Sequence, residues 1–122
     1  MASMITEFFK IQNQFKVLHW QTRSYSRHKA YGKVYDSLSD LTDTFIEVYM
    51  GKYGRVGFDG DGESVELKNS DSMSVAEFLD NTIEFLLGLT EDMDDKADTD
   101  LLNIRDEMLA QINRLKYLLT LK

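Results

Sequence analysis

The sequence predicts an all-α protein, a four-helix bundle in which one long crossover joins the second helix to the third. Three observations carry this prediction. Apolar residues recur at intervals of three and four in four separate stretches. Proline is absent, so no ring breaks a helix by sterics. The third observation is a glycine-rich stretch of more than twenty residues in the middle of the chain, too long for an idle loop in a compact domain.

The first helix is expected over about residues 4–24, where Ile5, Phe8, Ile11, Phe15, Leu18 and Thr22 form one stripe. The second, over about residues 27–51, alternates without a slip through Tyr31, Val34, Leu38, Leu41, Phe45 and Val48. At 1.5 Å per residue it is a rod of roughly 37 Å, ended by Gly51 and Gly54. Residues 52–73 then form the crossover, in which only Ser64–Lys68 hints at a short strand. A capping-box pattern, Ser74-Val75-Ala76-Glu77, opens a third helix to about residue 93 with Val75, Phe78, Leu79, Ile83, Leu86 and Leu89 inward. Asp98 and Asp100 offer a cap and a first-turn acid to the fourth helix, over about residues 100–120, which carries Leu101, Ile104, Met108, Ile112, Leu115 and Leu119. Short connections within each pair make the first and second helices one antiparallel hairpin, and the third and fourth another.

The 122 residues fit one domain, 1–122, with a core of its own. No cysteine is present, which excludes disulfides, thiolate metal sites and cysteine nucleophiles. No apolar run approaches the roughly 18–20 residues of a membrane span. The opening residues also lack the layout of a signal peptide. A cytoplasmic protein with no membrane segment is the expectation. The net charge of −7, with Lys and Arg scattered along the chain, argues against direct nucleic-acid binding, which draws its affinity from phosphate neutralisation.

Chemistry concentrates on the first two helices. Asp36, Asp40, Asp43 and Glu47 follow one another at intervals of four, three and four. At 100° per residue this stripe lies about 150° from the second helix's apolar stripe, so it faces away from the core. It is either a solvated face or a face that meets a partner subunit and holds a hard cation between them. The two histidines are His19, beside Leu18 and the single tryptophan Trp20, and His28 near the start of the second helix. Each alone reads as a hydrogen-bonded edge residue or an exposed one.

Taken together, Leu18-His19-Trp20, then His28, then Asp43 fifteen residues on and Glu47 four further resembles the ferroxidase signature of the Dps family, ferritin-like mini-cage proteins. The resemblance covers mainly residues 5–51. It implies a ferritin-like bundle, an oligomer formed through the second helix, and iron (Fe2+/Fe3+) held between subunits. His19 and His28 of one copy would face Asp43 and Glu47 of another, with Trp20 packed beside them. Two departures stand in the chain. The histidines are three residues closer together than in the family, around Ser24–Arg27. Gly32 occupies the position of the acid that follows the second histidine by four; Asp36, a turn on, is the candidate substitute ligand. The alternative is a non-catalytic bundle, structural or interacting, whose metal site has degenerated; a structural metal site without redox turnover is a third reading. Asp59-Gly60-Asp61-Gly62-Glu63 looks like the opening of a calcium loop, but Ser64 and Ser70 stand where an EF-hand needs Gly and Glu, and a glycine-rich turn is the expectation.

Overall fold

The computed structural model describes residues 3–58, 60 and 62–121. Among them are four α-helices and no strand: α1 Met4–Gln21, α2 Tyr25–Tyr53, α3 Val75–Gly88 and α4 Thr99–Leu118. Single turns of 3-10 helix at Ser70–Ser72 and Leu89–Asp92 flank α3.

The ends follow from side-chain chemistry. Ser3, Ser24 and Ser74 each turn a hydroxyl onto the backbone N–H three residues ahead, satisfying one of the donors that a helix start leaves unpaired. Ser24 therefore begins α2 two residues earlier than its apolar pattern does, and α1 stops at Gln21, three residues short of expectation. Gly51 does not end α2; Gly54 does, with φ of 88°, a conformation that glycine adopts without a Cβ penalty. The third helix gives way after Gly88 to the tighter turn, so its expected last five residues, 89–93, are not α-helical.

Side-chain contacts fix the helix directions. Phe8 packs on Phe45 of α2 with ring centroids 5.5 Å apart, and His19 meets His28 at the other end, so α1 and α2 are antiparallel. Phe15 meets Phe78 at 4.9 Å and Phe8 meets Phe85 at 5.2 Å, which makes α1 and α3 antiparallel as well. Lys52 reaches the start of α4, donating to the Ala97 carbonyl at 2.6 Å and to Asp100 at 2.8 Å. On the opposite strand of that logic, Lys116 near the end of α4 pairs with Asp80 near the start of α3 at 2.6 Å. Hence α2 and α3 point the same way, and the chain between them must travel back along the bundle.

That return runs along α1. Glu63 accepts from the Ser3 amide at 2.7 Å, Gln14 pairs with Lys68, and Gln21 holds Asn69 and Ser70. Residues 3 to 21 of a helix span about 27 Å. Residues 63 to 70 cover about 25 Å only when almost fully extended. The expected strand at Ser64–Lys68 is thus extended backbone without a strand partner. Its pairing comes from Gln14, whose amide donates to the Lys68 carbonyl and whose carbonyl accepts the Lys68 N–H, both at 2.9 Å. One side chain does there what a neighbouring strand does in a ladder. Gln14→Ala removes both bonds at a largely buried position and is expected to cost about 1–3 kcal/mol. Faster hydrogen exchange at the Lys68 amide, with α4 unaffected, would locate the loss in the crossover.

The core unites Phe8, Phe15 and Leu18 of α1 with Leu38 and Phe45 of α2, Leu79 and Leu86 of α3, and Leu101, Met108, Ile112 and Leu115 of α4. Arg105 lies among these apolar positions, four residues after Leu101. It is buried because its guanidinium donates to the Leu86 carbonyl at 2.9 Å and the Thr90 hydroxyl at 2.6 Å, satisfying the end of α3.

Candidate functional site

Where α1 ends and α2 begins, the two histidines form a reciprocal pair. His19 Nδ1 lies 2.7 Å from the His28 carbonyl oxygen, and His28 Nδ1 lies 2.8 Å from the His19 carbonyl oxygen. The rings stack with centroids 3.9 Å apart and planes 18° from parallel. A carbonyl only accepts, so each Nδ1 must carry a proton, and the tautomer this selects has its lone pair on Nε2. A backbone carbonyl holding Nδ1–H is the arrangement that orients a histidine for metal at Nε2. It also serves the fold, because the His19 carbonyl lies in the last turn of α1, where no intrahelical donor remains.

Gly32 makes the pair possible. A Cβ built there would stand 2.9 Å from both Cε1 and Nδ1 of His19. The imidazole crosses the flank of α2 through the space that any other residue would fill. The glycine that breaks the sequence signature is therefore the seat of one of its histidines.

The predicted acids are elsewhere. Asp36, Asp40, Asp43 and Glu47 are all exposed on α2. Fifteen residues of helix separate His28 from Asp43 by about 22 Å, beyond any shared coordination within one chain. Among the described residues no three His, Asp or Glu side chains gather as a metal site. Trp20 does not pack on the histidines: it is 68% exposed, with Lys16 Nζ 5.6 Å from its ring centroid. Asp59 and Asp61 of the expected glycine-rich turn lie outside the described residues.

Sequence reasoning missed a polar cluster at the opposite end. Asp98, 2% exposed, stands at the N-cap position of α4, yet its carboxylate does not cap the helix as expected. It accepts from the Tyr53 hydroxyl and from the Asp94 amide at 2.9 Å, and Lys52 Nζ lies 3.2 Å away. The Tyr53 bond, then the Asp94 amide, hold its carboxyl below the usual carboxylate range. The Tyr53 phenol is pushed up in turn, chiefly by the same bond to Asp98. A depressed folded-state pKa contributes stability above the ordinary aspartate value, and that contribution disappears as pH falls through the folded value. Asp98→Asn is therefore expected to lower stability at neutral pH and to flatten the acid limb of a pH–stability curve. Urea melts across the acid range would read both effects. The adjacent Lys52-Tyr53 pair at a helix end gave a weak clue to this cluster; that its partner would be Asp98 did not follow from spacing.

A cleft of about 400 Å³ opens between α1, α3 and the crossover. Lys10, Lys68, Glu66, Glu77, Phe78 and Phe85 are among its lining residues, a mixture of both charges over an apolar floor, and none belongs to the histidine site.

A family profile described as "Family of unknown function (DUF5856)" matches residues 19–119. A protein of Enterobacteria phage T4, described as an uncharacterized 14.6 kDa protein in the mobD-ri intergenic region, is 48% identical over 44 residues. That match takes in 36% of this chain and 34% of the phage protein, so the chain spans about a third of that relative's length. No solved structure matches the chain.

Proposed function

The chain belongs to the DUF5856 family of unknown function, and we propose that within it this protein is a Dps-like iron protein that binds Fe(II) between subunits and oxidises it. The observation that carries this reading is the reciprocal histidine pair, which leaves two half-buried Nε2 atoms without a hydrogen-bond partner among the described residues. Two imidazole nitrogens and two carboxylates make a donor set suited to iron, and the carboxylates offset its charge. Asp43 and Glu47 are too far along α2 to serve their own histidines, so a second copy would have to present them. Their exposure on the face turned from the core is the placement such a partner requires.

The helix directions support a ferritin-like arrangement: two antiparallel hairpins, joined by one crossover that spans the bundle. Iron is the substrate here. Two Fe(II) ions each give one electron to a peroxide, whose O–O bond breaks as two protons are taken up and two waters leave. The residues' part is to hold the ions together and balance charge. Asp36, exposed and one turn beyond Gly32, would be a peripheral carboxylate.

The test is oxidant-dependent Fe(II) oxidation by the purified protein beside His19→Ala and Asp43→Ala, with folding matched by circular dichroism. Turnover above the protein-free rate that falls at least about tenfold in both variants, the scale of a lost ligand or its support, is the expected result. No turnover above background would sink the ferroxidase reading and leave the non-catalytic bundle.

A further inference from the structure

Charge is distributed far from evenly over this acidic chain. Between Phe8 and Tyr35 lie Lys10, Lys16, Arg23, Arg27, Lys29 and Lys33, and not one Asp or Glu. The other eight lysines and arginines share the rest of the chain with all 21 acids. The antiparallel turn of α1 into α2 folds the last five of those cations around one tip of the bundle. That acid-free stretch of sequence thus becomes a patch in space, which the net charge of the whole chain conceals.

The same tip exposes two aromatic rings that the core does not use. Tyr25 is 74% exposed and Trp20 68%. Each has an ammonium beside it: Lys29 Nζ lies 5.8 Å from the Tyr25 centroid, and Lys16 Nζ lies 5.6 Å from Trp20 and 4.6 Å from Tyr35. At the corresponding end of α4, Arg114 and Tyr117 are exposed too. Acids at this end are Asp36 on α2, next to Tyr35, and Asp71, Glu77 and Asp80 on the crossover and α3, of which Asp80 pairs with Lys116.

We propose that this tip binds single-stranded nucleic acid, with Trp20 and Tyr25 as stacking platforms for bases and Lys16, Arg23 and Lys29 as contacts to the flanking phosphates. Exposed rings beside cations supply both halves of such recognition: every base offers a π-face, and a groove of positive charge tracks the backbone. An anionic membrane surface is the other polyanion with a claim on this patch, and the vesicle arm of the test separates the two. The proposal does not rest on the iron reading and competes with it for this end of the bundle, because a second copy docked over His19 and His28 would lie against Tyr25, whose ring stacks on His28 at 6.2 Å.

Trp20 is the only tryptophan, so its emission reports directly on stacking. The experiment titrates the full chain with a single-stranded oligothymidylate, a duplex of equal length, inorganic polyphosphate and anionic phospholipid vesicles. Saturable quenching by the single strand is expected, with an affinity that falls as salt rises by about 0.7 log unit per phosphate contact for each log unit of salt. Trp20→Ala is expected to weaken binding about five- to hundredfold, the scale of one base–aromatic stack. Arg23→Glu with Lys29→Glu should flatten the salt slope by about 1.4, two contacts' worth, whereas Lys96→Glu at the other end should change nothing. Circular dichroism establishes that each variant is folded.

Absence of quenching at low ionic strength would overturn the proposal. So would binding indifferent to Trp20→Ala and matched by polyphosphate, which is attraction to a cation cluster only. Equal or tighter binding of duplex or of vesicles would overturn it as well, as would a dimer whose Trp20 emission is already blue-shifted beneath a second copy.

Discussion

Phe15→Ala is expected to destabilise the bundle by about 3–5 kcal/mol, a large fraction of the roughly 5–15 kcal/mol by which a domain is stable. Phe15 has no exposed surface and lies against Phe78 at 4.9 Å, a contact that joins α1 to α3 together with Phe8 on Phe85. The loss combines the transfer energy of the ring with a cavity that rigid helices cannot fill. Those two helices have no short loop between them; side chains and the crossover are what tie them. Urea denaturation should show a lower midpoint with an unchanged slope. A loss below about 1 kcal/mol would mean that α1 and α3 do not pack through this ring.

Gly32→Ala is expected to break the histidine pair while leaving global stability nearly unchanged. The added methyl carbon would sit 2.9 Å from two atoms of the His19 ring, so the imidazole must shift off this seat. Alanine gains up to about 1 kcal/mol over glycine inside a helix. Against that gain stand the lost stacking and the lost bond from the His19 ring to the His28 carbonyl, worth about 0.5–1.5 kcal/mol. The sum is small, but the site is gone. Nitrogen NMR of the imidazoles should show the His19 Nδ1 proton lose its hydrogen-bonded shift while His28 keeps its bond to the His19 carbonyl, and any Fe(II) turnover should collapse as in His19→Ala. An acid at position 32, which the resemblance would supply, meets the same obstacle. Unperturbed histidine signals in Gly32→Ala would mean that the ring does not occupy the flank of α2.

This position shows how far spacing along the chain can be trusted. Gly32 reads in one dimension as a missing ligand, because only its lack of a carboxylate is visible. In three dimensions the missing atom is the Cβ, and the reason is a ring from another helix. Gln14 is similar: it interrupts the apolar face of α1, yet its amide is the partner that the crossover at Lys68 needs. Asp98 is a third case, an expected cap whose carboxylate is drawn away by Tyr53 from forty-five residues upstream.

The sequence by itself determined the four helices, their inward faces, the serine start of α3 and the outward acidic stripe. Each depends on periodicity or on a hydroxyl within three residues of the amide it caps, and such interactions are written locally. Only the tertiary structure decided that His19 and His28 close a reciprocal pair, that the crossover climbs α1 on glutamine side chains, and that cations spread over eighteen residues gather around two open aromatic rings. Those arrangements join groups whose separation along the chain carries no periodic signal, and they exist only once the helices have packed.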